Sequence, residues 1–220
     1  MLCNIFLFLI YLDYRKLTRD DKVKYNDNIW TQKEEQQFNL QDDFLEQKGI
    51  KFIAYKFNIP KNKIRFATKA EDRNEATDLL IGSKRMGVRC FDANNKSNNP
   101  RNITIRLKGY GAITEINKTN YLDYYAYFWL DMSNKDDFKI VDYIIMDCSN
   151  NKLNDILLNP STEAKFIKIK NKFGYTYFAA IEVYFIKNLL LYYHLPDECL
   201  ELRHIEGHIP GIISDFVNGF

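Results

Sequence analysis

The chain has 220 residues, which suits one domain, and 46% of them are hydrophobic, which is enough to build a sizeable core. Lysine and arginine total 31 against 29 acidic residues, so the net charge of +2 excludes a global field that would drive the protein onto nucleic acid or membrane. The four cysteines lie far apart without a CxxC pair, which excludes a disulfide scaffold and a zinc knuckle and favours a reducing, cytoplasmic compartment.

The first half of the chain predicts one helix and a series of strands. Residues 1–30 form an N-terminal extension whose apolar start, 2–12, is too short for the ~20 residues of a membrane span and favours a buried strand or short core helix. Residues 31–48 have a helical pattern with a capping-box start and Gly49 at the C′ position. The predicted strands that follow are 50–57, 77–82, 85–91 and 101–108.

The second half predicts further strands and the longest helix. The segments 124–130 and 140–146 are aromatic and β-branched enough to be strands, and 149–158 is a short helix. A hairpin of 164–169 with 175–177 precedes a helix over 178–194. The expected fold is a single α/β (α+β) domain, 1–220, with a central mixed β-sheet flanked by helices 31–48 and 178–194.

Candidate metal ligands concentrate in one short acidic stretch. Glu71, Asp72, Glu75 and Asp78 lie within eight residues, and Asp78 immediately precedes an apolar strand. Converging carboxylates are what Mg²⁺ prefers. The alternatives are a solvated face for the first three acids and a capping role for Asp78.

A second group is basic and lies on predicted strands. Arginine binds phosphate through a planar fork of donors, and this group is predicted to contact nucleic acid; its members are Arg85, Arg89, Arg101, Arg106 and Lys108. Short connections predict that the strands carrying Asp78, Arg89 and Arg106 are neighbours in one sheet. Structural ion pairs with Asp78, Asp92 or Glu115 are the alternative.

A third element combines Glu115 and Lys118 with the aromatic run 124–129. A carboxylate that holds Mg²⁺ and a lysine that polarises water or phosphate are the parts a phosphodiesterase needs. The tyrosines of the run either stack on bases or pack in the core.

These motifs resemble those of the PD-(D/E)xK nuclease superfamily and, more narrowly, of phage-type proteins with a similar block of strands. The matching segments are Glu75, 77–80, 85–89, 101–106, 114–118 and 123–125. In that superfamily an acid on a helix and an Asp at the first strand of a hairpin join an acid-x-Lys on the next strand to bind Mg²⁺. Asp78 matches the hairpin Asp, and Glu75 or Glu71 matches the acid on the helix. Where acid-x-Lys is expected, however, the chain has Val88-Arg89-Cys90-Phe91.

The resemblance implies a restriction-endonuclease-like fold and a metal-dependent phosphodiesterase that acts on nucleic acid, DNA ahead of RNA, with Mg²⁺ or Mn²⁺. Asp78, Glu115 and Lys118 are then catalytic, and Glu75, Asp78 and Glu115 hold the metal. The missing acid-x-Lys leaves an alternative, an inert nucleic-acid-binding module or a structural subunit of a phage or mobile-element assembly. Protein partners or a homo-oligomer are compatible with either, and no membrane partner is expected.

Overall fold

The computed structural model describes residues 41–68, 71–72, 75–95, 101–108, 119–134, 137–171, 174–202 and 208–214. All of them belong to a unit that spans residues 32–220. The N-terminal extension and the predicted site residues Glu115 and Lys118 lie outside the described residues.

A long helix precedes the first strand. Residues 41–44 are α-helical, Leu45–Gly49 is a π-helical stretch, and α1 covers Ile50–Lys56. The predicted helix 31–48 is therefore confirmed over its described part, and the predicted strand 50–57 is wrong.

Helical spacing of apolar residues explains that error. Ile50, Ile53 and Ala54 are all buried, and their i, i+3, i+4 spacing follows a helix period despite the β-branched residues. Gly49 does not end the helix: a Cβ there would lie 2.8 Å from Cδ2 of Leu45 and 2.9 Å from the Phe44 ring. The glycine therefore permits close packing inside the helix.

Ten strands form two sheets in the part of the chain that the structure describes. They are β1 (Ile64–Phe66), β2 (Leu79–Ile81), β3 (Lys84–Asp92), β4 (Asn102–Lys108), β5 (Tyr124–Asp131), β6 (Lys139–Asp147), β7 (Glu163–Asn171), β8 (Gly174–Glu182), β9 (Leu190–His194) and β10 (His208–Pro210). The six-stranded sheet has the order β1-β2-β3-β5-β6-β9, and the four-stranded sheet has the order β10-β7-β8-β4. Since β3 and β5 are parallel and their other neighbours antiparallel, the larger sheet is mixed.

Two further short α-helices lie between the strands, α2 (Lys152–Leu157) and α3 (Val183–Ile186). The predicted short helix at 149–158 is confirmed over Lys152–Leu157, whereas the predicted helix 178–194 is wrong. That stretch contains the end of β8, then α3, a 3₁₀ turn and β9. Because β8 pairs with β7 on one side and β4 on the other, it is a central strand, and its nearly continuous apolar run resembles that of a buried helix.

The larger sheet packs on the helix through one face. Phe44, Ile53, Val88, Ala126 and Phe128 are each completely buried in this core. Phe44 and Phe128 have ring centroids 5.1 Å apart, a typical aromatic contact. The helix and the sheet therefore share one continuous hydrophobic core.

The opposite face of the larger sheet packs on the smaller sheet. Tyr125, Tyr127 and Trp129 alternate with the helix-facing residues of β5 and are at most 1% exposed. The hydroxyl of Tyr127 donates a 3.0 Å hydrogen bond to the carbonyl of Thr104 in β4. For these three aromatic residues core packing is thus confirmed over base stacking.

The fold class is mixed α/β, as predicted, but the strands of Arg89 and Arg106 are not neighbours. Arg89 lies on β3 in the larger sheet, and Arg106 lies on β4 in the smaller one. A parallel pair needs a long crossover connection, and β4 lies within the crossover from β3 to β5.

No described helix is long and apolar enough to cross a membrane.

Candidate functional site

Asp78 lies immediately before β2, and its carboxylate joins three elements. One oxygen accepts a hydrogen bond of 3.0 Å from the Gln41 side-chain amide, and the other accepts one of 2.7 Å from the backbone N–H of Val88 on β3. The backbone N–H of Asp78 donates to the carbonyl of Met86 at 3.0 Å. Both carboxylate oxygens thus hold the helix and the β2–β3 hairpin together.

The positions expected for acid-x-Lys are apolar and buried. Val88 is fully buried and Cys90 is 8% exposed, and both pack in the core beneath the helix. Arg89 lies between them and points to the other face, because side chains alternate along a strand. Burial raises the pKa of the Cys90 thiol well above its usual range. Neither position supplies a metal ligand or an ammonium group beside Asp78.

The other predicted acids form ion pairs with arginines. The Glu75 carboxylate accepts a 2.7 Å hydrogen bond from Nε of Arg85, and Glu71 forms a two-pronged pair with Arg65 at 2.8 and 3.0 Å. The hydrogen bonds from Arg65 and from the backbone of Thr68 lower the pKa of Glu71 to about 2. Within the described ranges, no group of three or more His, Cys, Asp or Glu residues is arranged to hold a metal ion.

The predicted nucleic-acid-binding residues do not form one patch. Arg85 and Arg89 lie on β3, whereas Arg106 and Lys108 belong to β4 and Arg101 directly precedes it. Arg89 donates to the Val88 carbonyl at 3.2 Å, and the Arg106 guanidinium lies 5.7 Å from the Phe178 ring centroid. The group is therefore divided between the two sheets.

The side chain of Arg101 is nearly buried and contacts other parts of the protein. Its Nε lies 2.8 Å from Oδ2 of Asp142, and the two side chains are 11% and 7% exposed. Its guanidinium also lies 5.8 Å from the centroid of Trp129 and donates to the Ala93 carbonyl at 3.3 Å. For Arg101 the geometry favours a structural ion pair, but its partner is Asp142 and not one of the acids proposed from the sequence.

A cleft of about 210 Å³ opens where β3 and β5 begin and β6 ends, and sequence reasoning did not identify it. Lys84 pairs with Asp123 at 2.6 Å, and this hydrogen bond raises the pKa of Lys84. On the other side Asp147 pairs with Lys152 and accepts hydrogen bonds from the Ser149 N–H and hydroxyl. Asp123 and Asp147 each pair with a lysine, so the charges at the cleft balance. These ion pairs hold the ends of the strands together.

The β7–β8 hairpin carries a basic, aromatic surface that the sequence prediction also missed. Lys165, Lys168 and Lys170 are exposed along β7, and Tyr175 on β8 is 38% exposed. The signal was present in the sequence, because residues 164–181 contain four lysines and no acidic residue. Arg106 and Lys108 belong to the same four-stranded sheet.

Comparison with protein-family models, curated proteins and solved structures finds no match.

Proposed function

We propose that the chain is a nuclease-like module of restriction-endonuclease type that binds nucleic acid without cutting it. The observation that carries this proposal is the environment of Asp78. A helix that precedes the hairpin Asp in the chain, and a mixed sheet that contains this hairpin, support the proposal. The carboxylate, however, bonds to Gln41 and to the backbone of Val88, and the acid-x-Lys positions are buried and apolar.

Physical reasons favour this inert form over the metal-dependent phosphodiesterase. The two hydrogen bonds occupy about half of the roughly four lone-pair sites of the Asp78 carboxylate, which leaves fewer for a metal ion, and the buried acid-x-Lys positions supply no second ligand. Glu75, the other described metal-ligand candidate, is engaged with Arg85. Arg85, Arg89, Arg106 and Lys108 remain candidate phosphate contacts in this proposal.

The phosphodiesterase remains the second candidate, with Mg²⁺ or Mn²⁺ held by Glu75, Asp78 and Glu115 and with Lys118 completing the catalytic set. What favours it is the position of Asp78 at the mouth of the hairpin, where the superfamily places its metal-binding Asp. We also place the protein in a reducing compartment such as the cytoplasm, since the described cysteines Cys90, Cys148 and Cys199 are free thiols.

The test measures binding and cleavage separately with the full chain. Labelled single-stranded and duplex DNA and RNA are titrated with protein in EDTA, Mg²⁺ or Mn²⁺, and binding is followed by fluorescence anisotropy and cleavage on denaturing gels. We expect equal binding in EDTA and in metal, and no product. Metal-dependent cleavage that is lost in folded Asp78→Asn would establish the phosphodiesterase instead. A chain that binds no nucleic acid would leave the structural-subunit alternative.

A further inference from the structure

The β7–β8 hairpin is a two-stranded ribbon with an uneven charge distribution. Glu163 begins β7 and Glu182 ends β8, and residues 164–181 between them include four lysines and no Asp or Glu. The whole chain, by contrast, is nearly neutral, with a net charge of +2. Positive charge is thus concentrated locally on one element, and its electrostatic complement is an anionic partner.

One face of this ribbon combines lysines with an exposed aromatic ring. Lys170 is directly opposite Tyr175, and Lys168 is directly opposite Tyr177, in a register without a bulge. Directly paired residues share a face, so Lys168, Lys170 and Tyr175 all lie on the same side. Lys168 Nζ lies 4.1 Å from the Tyr175 ring centroid, which is within cation–π range.

The opposite face of the ribbon has a different composition. Lys165 is opposite Ala180, and Ile169, 50% exposed, is opposite Thr176. This face has a lysine but no neighbouring exposed tyrosine among these residues. The two faces can therefore be compared within one strand.

We propose that the face formed by Lys168, Lys170 and Tyr175 binds single-stranded nucleic acid, an inference that rests on the proposed function and gives it a surface and a substrate class. The two ammonium groups contact successive phosphates, and the tyrosine ring stacks on an unpaired base. Basic residues that follow the backbone and aromatic rings that stack on bases are the general features of single-strand binding. A duplex keeps its bases stacked on one another, so Tyr175 would contribute little to binding it.

The experiment uses full-length protein and a labelled oligothymidylate, with a duplex of equal length for comparison, over a range of salt concentrations. The test variants are Lys168→Gln with Lys170→Gln, and Tyr175→Ala. Lys165→Gln is the matched control, because it removes one lysine from the same strand on the opposite face. Tyr175→Phe keeps the ring, and circular dichroism with urea unfolding shows that each variant is folded.

Each lost phosphate contact lowers the slope of log K against log salt by about 0.7 for a single strand. We therefore expect the double lysine variant to lower the slope by about 1.4 and Lys165→Gln to leave it unchanged. Tyr175→Ala should weaken single-strand binding by about fivefold or more, with little change for the duplex, and Tyr175→Phe should bind as the wild type does.

The outcomes separate the two proposals. If the wild-type chain binds no nucleic acid in any form, the proposed function is wrong and this surface loses its role with it. If the wild type binds but the double lysine variant keeps its slope, the proposed function stands and the hairpin is not the site. Equal losses in Lys165→Gln, a preference for duplex, or a stronger interaction with anionic phospholipid vesicles than with the oligonucleotide would also overturn the inference.

Discussion

The carboxylate of Asp78 accepts a 2.7 Å hydrogen bond from the backbone N–H of Val88, ten residues further along the chain. Its second oxygen accepts from Gln41, so the helix and the hairpin meet at one side chain. Val88 also stands at one of the positions where the resemblance predicts acid-x-Lys, and it is fully buried. The contact therefore gives Asp78 a structural role, because it joins the helix to the hairpin.

Asp78→Asn should destabilise the protein by about 1–3 kcal/mol, because both present partners are donors and an amide offers only one acceptor oxygen. The free energy of unfolding in urea measures this loss. Exposed Asp155→Asn is the control and should change stability by less than about 0.5 kcal/mol. Unchanged stability together with lost metal-dependent cleavage would assign Asp78 to catalysis.

Local pattern was enough to predict most strands and the hairpin of 164–169 with 175–177, but not the pairing of strands that are distant in sequence. The segments predicted as strands around Leu80, Ile105, Phe128 and Ile145 are all strands, because each is rich in apolar, β-branched or aromatic residues. Their arrangement depends on the parallel pairing of β3 with β5, which sends β4 into the second sheet. Short connections favoured the wrong neighbour, since that pairing is non-local.

The candidate site was predictable in part for a similar reason. The position of Asp78 before a buried strand followed from sequence, but its observed contacts are with a side chain of the helix and the backbone of β3, not the capping role offered as the alternative. Its partner Gln41 lies 37 residues away, and no local pattern indicates that contact. The ion pair of Arg101 with Asp142 spans 41 residues and was equally hidden, so a strand arginine looked like a phosphate contact.

The ion pair between Glu71 and Arg65 makes a pH-dependent contribution to stability. The hydrogen bonds from Arg65 and from the backbone of Thr68 lower the pKa of Glu71 from 4.5 to about 2, so the stabilisation is present above about pH 4.5 and is lost as the pH falls through about 2. Arg65→Gln should move the Glu71 titration midpoint upward in NMR, toward 4.5. The pair is exposed, so 1 M salt should reduce the difference. An unchanged midpoint in Arg65→Gln would show that the backbone of Thr68 alone sets the pKa.

The described cysteines should react only when the protein unfolds. Cys90, Cys148 and Cys199 are buried, and burial raises the pKa of the Cys90 and Cys148 thiols, which keeps them protonated. In a Cys3→Ser background, labelling by a thiol reagent should follow the rate of unfolding and rise with urea. Mass spectrometry of the labelled peptides identifies the reacting residue. Fast labelling of Cys90 in native protein would mean that the helix separates from the sheet without global unfolding.

The pair of Arg101 and Asp142 gives a direct test of whether an arginine has a structural role or binds nucleic acid. Arg101→Ala should cost about 3–5 kcal/mol in the free energy of unfolding, because it leaves a nearly buried carboxylate without its ion-pair partner.

Arg101→Met with Asp142→Leu removes both charges and should recover much of that loss, since apolar residues of similar size avoid the desolvation cost. His194 Nδ1 also lies 3.6 Å from Asp142 Oδ1, so wild type and variants are compared at one fixed pH. The salt dependence of nucleic-acid binding by the folded double variant should equal that of the wild type. If instead Arg101→Ala keeps wild-type stability while the slope of log K against log salt falls by about 0.7–0.9, the guanidinium contacts a phosphate and the ion pair with Asp142 is incidental.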